Sequence, residues 1–255
     1  MKIVVKVGTS TLAHATGKLN IRRTEELTRV LSDLKNAGNQ VILVSSGAIG
    51  MGVGKLALRK KPTDIPTKQA AAAVGQCELM YTYDRLFTEY NHTVAQILIT
   101  GSDLSAPDRH ENFNNTINKL LELDVLPIIN ENDTIATEEI KVGDNDTLSA
   151  HVASSIKADL LVILSDVEGL YSADPHKDSS ATLLEEVHEL TSEIMALGGG
   201  AGSALGTGGM ATKLRAASIC KAAGCDMAIA NGETPELLYK IVAGERGGYT
   251  YFYAE

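Results

Sequence analysis

Six short stretches of this chain are apolar with little interruption: residues Ile3–Val7, Val41–Val44, Val94–Ile99, Val125–Ile129, Leu160–Leu164 and Asp226–Ala230. A strand with one face in water alternates apolar and polar residues. A strand covered on both faces does not. The stretches in between carry apolar residues at helical spacing. Leu27, Val30, Leu31 and Leu34 form one stripe, with Gly38 as its stop signal. Met80, Tyr83, Phe87 and Tyr90 form a second, Phe113, Ile117, Leu120 and Leu121 a third, and Leu148, Val152 and Ile156 a fourth. All four are expected to face the core. Tyr249–Tyr253 reads as a last strand after Gly247-Gly248. Strand–helix alternation of this kind predicts a three-layer αβα sandwich around a mainly parallel sheet. No Pro/Ser-rich linker, low-complexity tract or internal repeat divides the chain, so one domain over residues 1–255 is expected.

The net charge of −9 argues against nucleic acid or an anionic membrane as a general partner. An anionic substrate must therefore be met by a few well-placed lysines. Cys77, Cys220 and Cys225 are odd in number and lack C-x-x-C spacing, which points to three buried thiols in a reducing compartment. No run approaches the roughly 18 apolar residues of a membrane span, and no leader pattern opens the chain, so a soluble cytoplasmic protein is expected.

Residues 130–150, NENDTIATEEIKVGDNDTLSA, hold six carboxylates and three asparagines between an apolar strand and an apolar helix. Polar groups this dense beside a buried strand are costly unless they bind something. At the carboxyl end of a strand in an α/β protein, that something is usually a ligand. Other strand ends are rich in glycine and small hydroxyl residues. Lys6-Val-Gly-Thr-Ser10 offers a charge and free backbone N–H groups to a phosphate, or is a solvated lysine before an ordinary turn. Ser45–Gly54 has glycines at 47, 50, 52 and 54, suited to close approach of a ligand or to a flexible connector, and it is not a Walker A loop. Gly198–Lys213 is a glycine-rich entry to a helix with a lysine in its first turn, a favourable phosphate site. Asp166 and Asp174 serve either a nucleotide or the capping of turns. Asp144-x-Asp146 is not an EF-hand, and the six histidines are scattered.

These motifs come in the order and approximate spacing of the amino acid kinase family, which the chain resembles over essentially its whole length. Lys6–Ser10, Ser45–Ile49, Asn130–Asp133, Lys141–Asp146 and Gly206–Lys213 carry the likeness. The 130–133 and 141–146 pair is similar to members that phosphorylate the side-chain carboxylate of L-glutamate, opening proline biosynthesis. Many such members carry a C-terminal PUA module, and this chain ends where one would begin. The resemblance thus implies a single domain, its N-terminal part mainly the amino-acid site and its C-terminal part mainly the ATP site. It implies that Lys6 and Lys213 approach the transferred phosphoryl group from the attacking and leaving sides, and that Asp146 orients both. Ser46, Asp133 and Asn145 match glutamate-binding positions, with Asp133 a partner for the α-ammonium. Lys6, Ser165, Asp166, Thr207, Gly208, Gly209, Met210, Ala211, Thr212 and Lys213 match ATP-binding positions. Mg²⁺ is expected on the ATP phosphates, with no protein ligands assigned. A homodimer or homotetramer is implied, as is functional coupling to glutamate-5-semialdehyde dehydrogenase, which would consume the labile acyl phosphate. Two other readings stand beside this one: a family member acting on acetylglutamate, aspartate, carbamate or UMP, and a catalytically silent nucleotide- or amino-acid-sensing module.

Overall fold

The computed structural model describes residues 1–14, 18–60, 62–136, 144–175, 177–199 and 209–255. In chain order the elements are β1 Lys2–Val7, α1 Thr9–Leu12, α2 Ile21–Asn36, β2 Gln40–Ser45, α3 Ala48–Lys55, α4 Ile65–Thr88, β3 Val94–Ile99, α5 Gly101–Ser105 and α6 Pro107–Glu122. There follow β4 Leu126–Glu131, α7 Asn145–Ser155, β5 Leu160–Ser165, β6 Glu186–Val187, α8 Ser192–Ala196, α9 Met210–Ala222, β7 Asp226–Asn231, α10 Leu237–Ala243 and β8 Tyr249–Phe252. The strands form one sheet in the order β3-β4-β2-β1-β5-β7-β8-β6. Every pairing is parallel except β7 with β8. This is the expected α/β architecture.

The inner strands lack alternation because both faces are covered, whereas β3, expected to be covered likewise, is a half-buried edge strand with Gln96 exposed. Along β1, Ile3, Val5 and Val7 belong to a core that includes Leu27 and Leu31 of α2, Tyr83 and Phe87 of α4, and Leu238 of α10. Val4 belongs to the opposite core, with Ile117 of α6, Leu148 and Val152 of α7, and Leu214 and Ala217 of α9. Side chains two apart share a face, so Lys6 projects on the side of Val4, toward α7 and α9. Several helices start on side-chain caps. Asn20 accepts from the Arg23 N–H, Asp64 from Thr67 and Asp144 from Thr147. Gly38 follows α2 at φ +91°, as a helix stop requires.

Some expectations need correction. The 45–54 glycines suggest a loop, either for close approach of a ligand or as a flexible connector, yet most of that stretch is α3, and Gly52 serves packing. A Cβ on Gly52 would lie 1.8 Å from Ala71 O, and one on Gly75 would lie 1.7 Å from Ala48 O. The backbones of α3 and α4 therefore touch, which only glycine permits. Cys77 is exposed rather than buried, because α4 turns that position outward, while Cys220 and Cys225 are buried. Tyr90 lies beyond the end of α4 and is exposed, so the second stripe ends at Phe87. Among the described residues no helix is long and apolar enough to cross a membrane.

Candidate active site

The sheet order reverses around β1: β2 and β4 lie on one side of it, β5 and β7 on the other. In an open parallel sheet such a reversal leaves a crevice at the carboxyl ends of the strands. β1 brings Lys6 there, β2 leads to Ser46, β4 ends in Asn130-Glu131, and β5 ends in Ser165. The first turns of α7 and α9 close the crevice from one face.

At its centre is a three-charge group. Asp146 Oδ1 lies 2.6 Å from Lys6 Nζ, and its Oδ2 accepts from Lys213 Nζ at 3.1 Å. Thr212 Oγ1 donates to the same Oδ2 at 2.8 Å. Asp146 is 1% exposed, Lys213 4% and Lys6 8%. Burial acts to raise the Asp146 pKa, but the charges of Lys6 and Lys213 and the hydrogen bonds outweigh it and hold the group at about 2. Two ammonium groups on one buried carboxylate leave one positive charge in excess. Excess buried charge is tolerated where a counter-ion belongs, and here that is an anion. Asp144, two residues before, is pushed up by burial, and also by the charge of Asp146; it caps α7 with both oxygens on Thr147.

Beside this group lies a chain of amides. Asn145 Nδ2 donates to Ser46 Oγ at 2.7 Å and to Asn130 Oδ1 at 3.0 Å. Asn130 Nδ2 donates to Gln76 Oε1 at 2.9 Å. Ser46 precedes Gly47, whose φ of +108° lets the chain turn from β2 into α3. Asp133 is half-buried in the turn after β4.

On the other flank, Ser165 is buried and donates to Asp166 Oδ1 at 3.1 Å, while its carbonyl accepts from Gly232 N–H at 2.7 Å. Gly209 caps α9 without a side-chain bond, and the N-terminus of a helix is suited to a phosphate. Gly8 keeps space open beside Lys6, since a Cβ there would lie 3.4 Å from Lys6 Nζ. No group of three or more His, Cys, Asp or Glu able to hold a metal occurs among the described residues.

The structure thus brings together Lys6, Asp146 and Lys213, and separately Ser46 and Asn145, with Ser165, Asp166, Gly209, Met210, Ala211 and Thr212 on the far flank. Thr207, Gly208 and the Lys141–Gly143 part of the acidic block lie outside the described residues. Thr212, expected at ATP, makes its contact with Asp146. Asn130 and Gln76 were not among the expected site residues. The signal for Gln76 was present: it sits on the buried face Ala72, Leu79, Tyr83 of α4, where an amide is out of place.

The sequence profile of the Amino acid kinase family matches residues 1–231. The chain is 55% identical to the glutamate 5-kinase of Clostridium acetobutylicum, over 97% of its own length and 92% of that protein's. It is likewise 55% identical to the glutamate 5-kinase of Clostridium tetani, over 99% and 94%. Among solved structures, a carbamate kinase from Giardia lamblia bound to AMP-PNP superposes with a TM-score of 0.70 at 18% identity, covering 99% of this chain and 98% of that one. That likeness speaks to fold alone, whereas the sequence matches reach across both flanks of the crevice and its charged centre: this chain belongs to the amino acid kinase family.

Proposed function

We propose that this chain transfers the γ-phosphoryl group of ATP to the side-chain carboxylate of L-glutamate, giving L-glutamyl 5-phosphate, the first step of proline biosynthesis. The observation that carries the reading is Asp146 held between Lys6 and Lys213 at the strand ends, in a chain half identical to glutamate 5-kinases over nearly its whole length.

The chemistry asks little else of the protein. A carboxylate nucleophile needs no general base at neutral pH, and the reactants are anions. Catalysis therefore rests on alignment and on neutralising charge. Lys6 stands nearer the amide chain and would meet the attacking oxygen and the γ-phosphoryl group. Lys213, on the first turn of α9, would meet the leaving side. Asp146 stays ionised at any working pH and holds both ammonium groups at fixed distance. Ser46, Asn145 and Asp133 would bind glutamate. Ser165, Asp166 and residues 207–213 would bind ATP. Mg²⁺ would be carried on the ATP phosphates, where it would neutralise phosphate charge. The reading carries with it a homo-oligomeric cytoplasmic enzyme whose product passes to glutamate-5-semialdehyde dehydrogenase.

The test is ADP release with Mg-ATP and, in turn, L-glutamate, L-aspartate, N-acetyl-L-glutamate, carbamate and UMP, with hydroxylamine to trap any acyl phosphate. Glutamate-dependent ADP with a trapped γ-glutamyl hydroxamate is expected. Turnover with another acceptor instead would overturn the substrate assignment. ATP binding without turnover of any acceptor would replace it with the sensing module.

A further inference from the structure

We propose that Gln76 is a positioning residue for the amino-acid substrate, fixing which way the amides of Asn130 and Asn145 point. The inference rests on the placement of glutamate at Ser46 and Asn145. Gln76 lies on α4 beside Gly75, where the helix backbone presses against Ala48 and Gly52 at the start of α3. That close contact brings the Gln76 side chain to the wall of the crevice. It is 7% exposed.

Hydrogen-bond direction does the rest. Gln76 Oε1 accepts from the Asn130 nitrogen and, with the Glu131 N–H on Asn130 Oδ1, holds that amide one way round. The Asn130 oxygen then faces the crevice, where it accepts from Asn145 Nδ2 and from the Glu131 N–H. Asn145 spends one amide proton there and the other on Ser46 Oγ. What Asn145 can offer a ligand is then its carbonyl oxygen, an acceptor suited to an ammonium group. Ser46, already accepting, can offer its hydroxyl proton, a donor suited to a carboxylate. An amino acid presents both groups. A reversed Asn130 amide would turn two nitrogens toward each other and undo the pattern. A second observation agrees: the Gln76 amide nitrogen is buried and has no acceptor among the described residues. A ligand or an ordered water at the crevice wall would complete it.

The experiment is a double-mutant cycle of Gln76→Met and Asn145→Ala in the intact protein, with separate KM values for glutamate and ATP. Gln76→Met should raise the glutamate KM about tenfold, the scale of one net hydrogen bond lost, and leave the ATP KM within about twofold. Asn145→Ala should raise the glutamate KM as well. In the double variant Gln76→Met should add less than about twofold, because its effect runs through Asn145. Should Gln76→Met not fold, Gln76→Asn withdraws the acceptor by one methylene and carries the same expectation. An unchanged glutamate KM in the Gln76 variants, equal rises for both substrates, or full additivity would overturn the inference alone. An unchanged glutamate KM in Asn145→Ala would overturn the placement of the amino-acid site, and this inference with it.

Discussion

Asp146→Asn is the most telling single change, because it keeps the shape of the site and removes the charge that holds two lysines. In the folded chain this carboxyl titrates at about 2 against an ordinary 3.8. At 1.36 kcal/mol per unit, that difference amounts to about 2 kcal/mol of stability. The sign follows from the depressed folded pKa: the contribution is present above the unfolded value near pH 4 and lost as pH falls toward 2. The group is 1% exposed, so solvent screening takes little of it. Removing one partner of a buried pair also strands the others, so the total loss at neutral pH should reach about 3–5 kcal/mol. Urea unfolding of both proteins from pH 7 to pH 2 measures it. The gap between them should be largest at neutral pH and narrow by about 2 kcal/mol across the acid range. Turnover should fall at least 10²–10³-fold, since both lysines lose their anchor. A variant whose stability gap does not change with pH, or whose turnover stays within about tenfold of the parent, would refute the role given to Asp146.

The remaining expectations concern other parts of the site. Lys6→Ala and Lys213→Ala should each lose at least 10²–10³ in turnover with the fold intact by circular dichroism; a loss of about tenfold or less at Lys6 would remove it from the phosphoryl-transfer step. Asp133→Ala should mainly raise the glutamate KM, and unaltered glutamate kinetics would exclude it from substrate binding. Gly52→Ala puts a methyl group 1.8 Å from Ala71 O, between two backbones that cannot yield. It should cost about 1–3 kcal/mol or more in denaturant unfolding and raise the glutamate KM as α4 is pushed from the crevice; wild-type stability would contradict the packing described.

Much of this was legible in the sequence. The strand at 160–165 matches its expected bounds within one residue, because burial on both faces leaves an apolar run; that at 94–99 matches its bounds although it is a half-buried edge strand. The two-residue β6 was not legible, since pairing with β8 alone defines it, and nothing in Tyr249–Phe252 announces that β8 runs against β7. Lys6, Asp146 and Lys213 stood out as motif residues. Their convergence did not, because 67 positions separate Asp146 from Lys213 and only the sheet order joins them. Gln76 went unread for a different reason: its signal, an amide on the face of Ala72, Leu79 and Tyr83, shows only once α4 is known to begin at Ile65, whereas the apolar stripe in the sequence starts at Met80.

The alternation of side chains along β1 has a consequence for how errors in this chain would show. Lys6 reaches the crevice only because it shares a side with Val4, while Val5 and Val7 serve the opposite core. A slip of one residue against β2 or β5 would trade those sides, putting a lysine among Leu27 and Tyr83 and a valine beside Asp146. Misregistered molecules would therefore be both less stable and without the lysine that pairs with Asp146. Specific activity per folded molecule thus reports the fidelity of strand alignment at the centre of the sheet, a quantity that spectroscopic measures of secondary structure would not register.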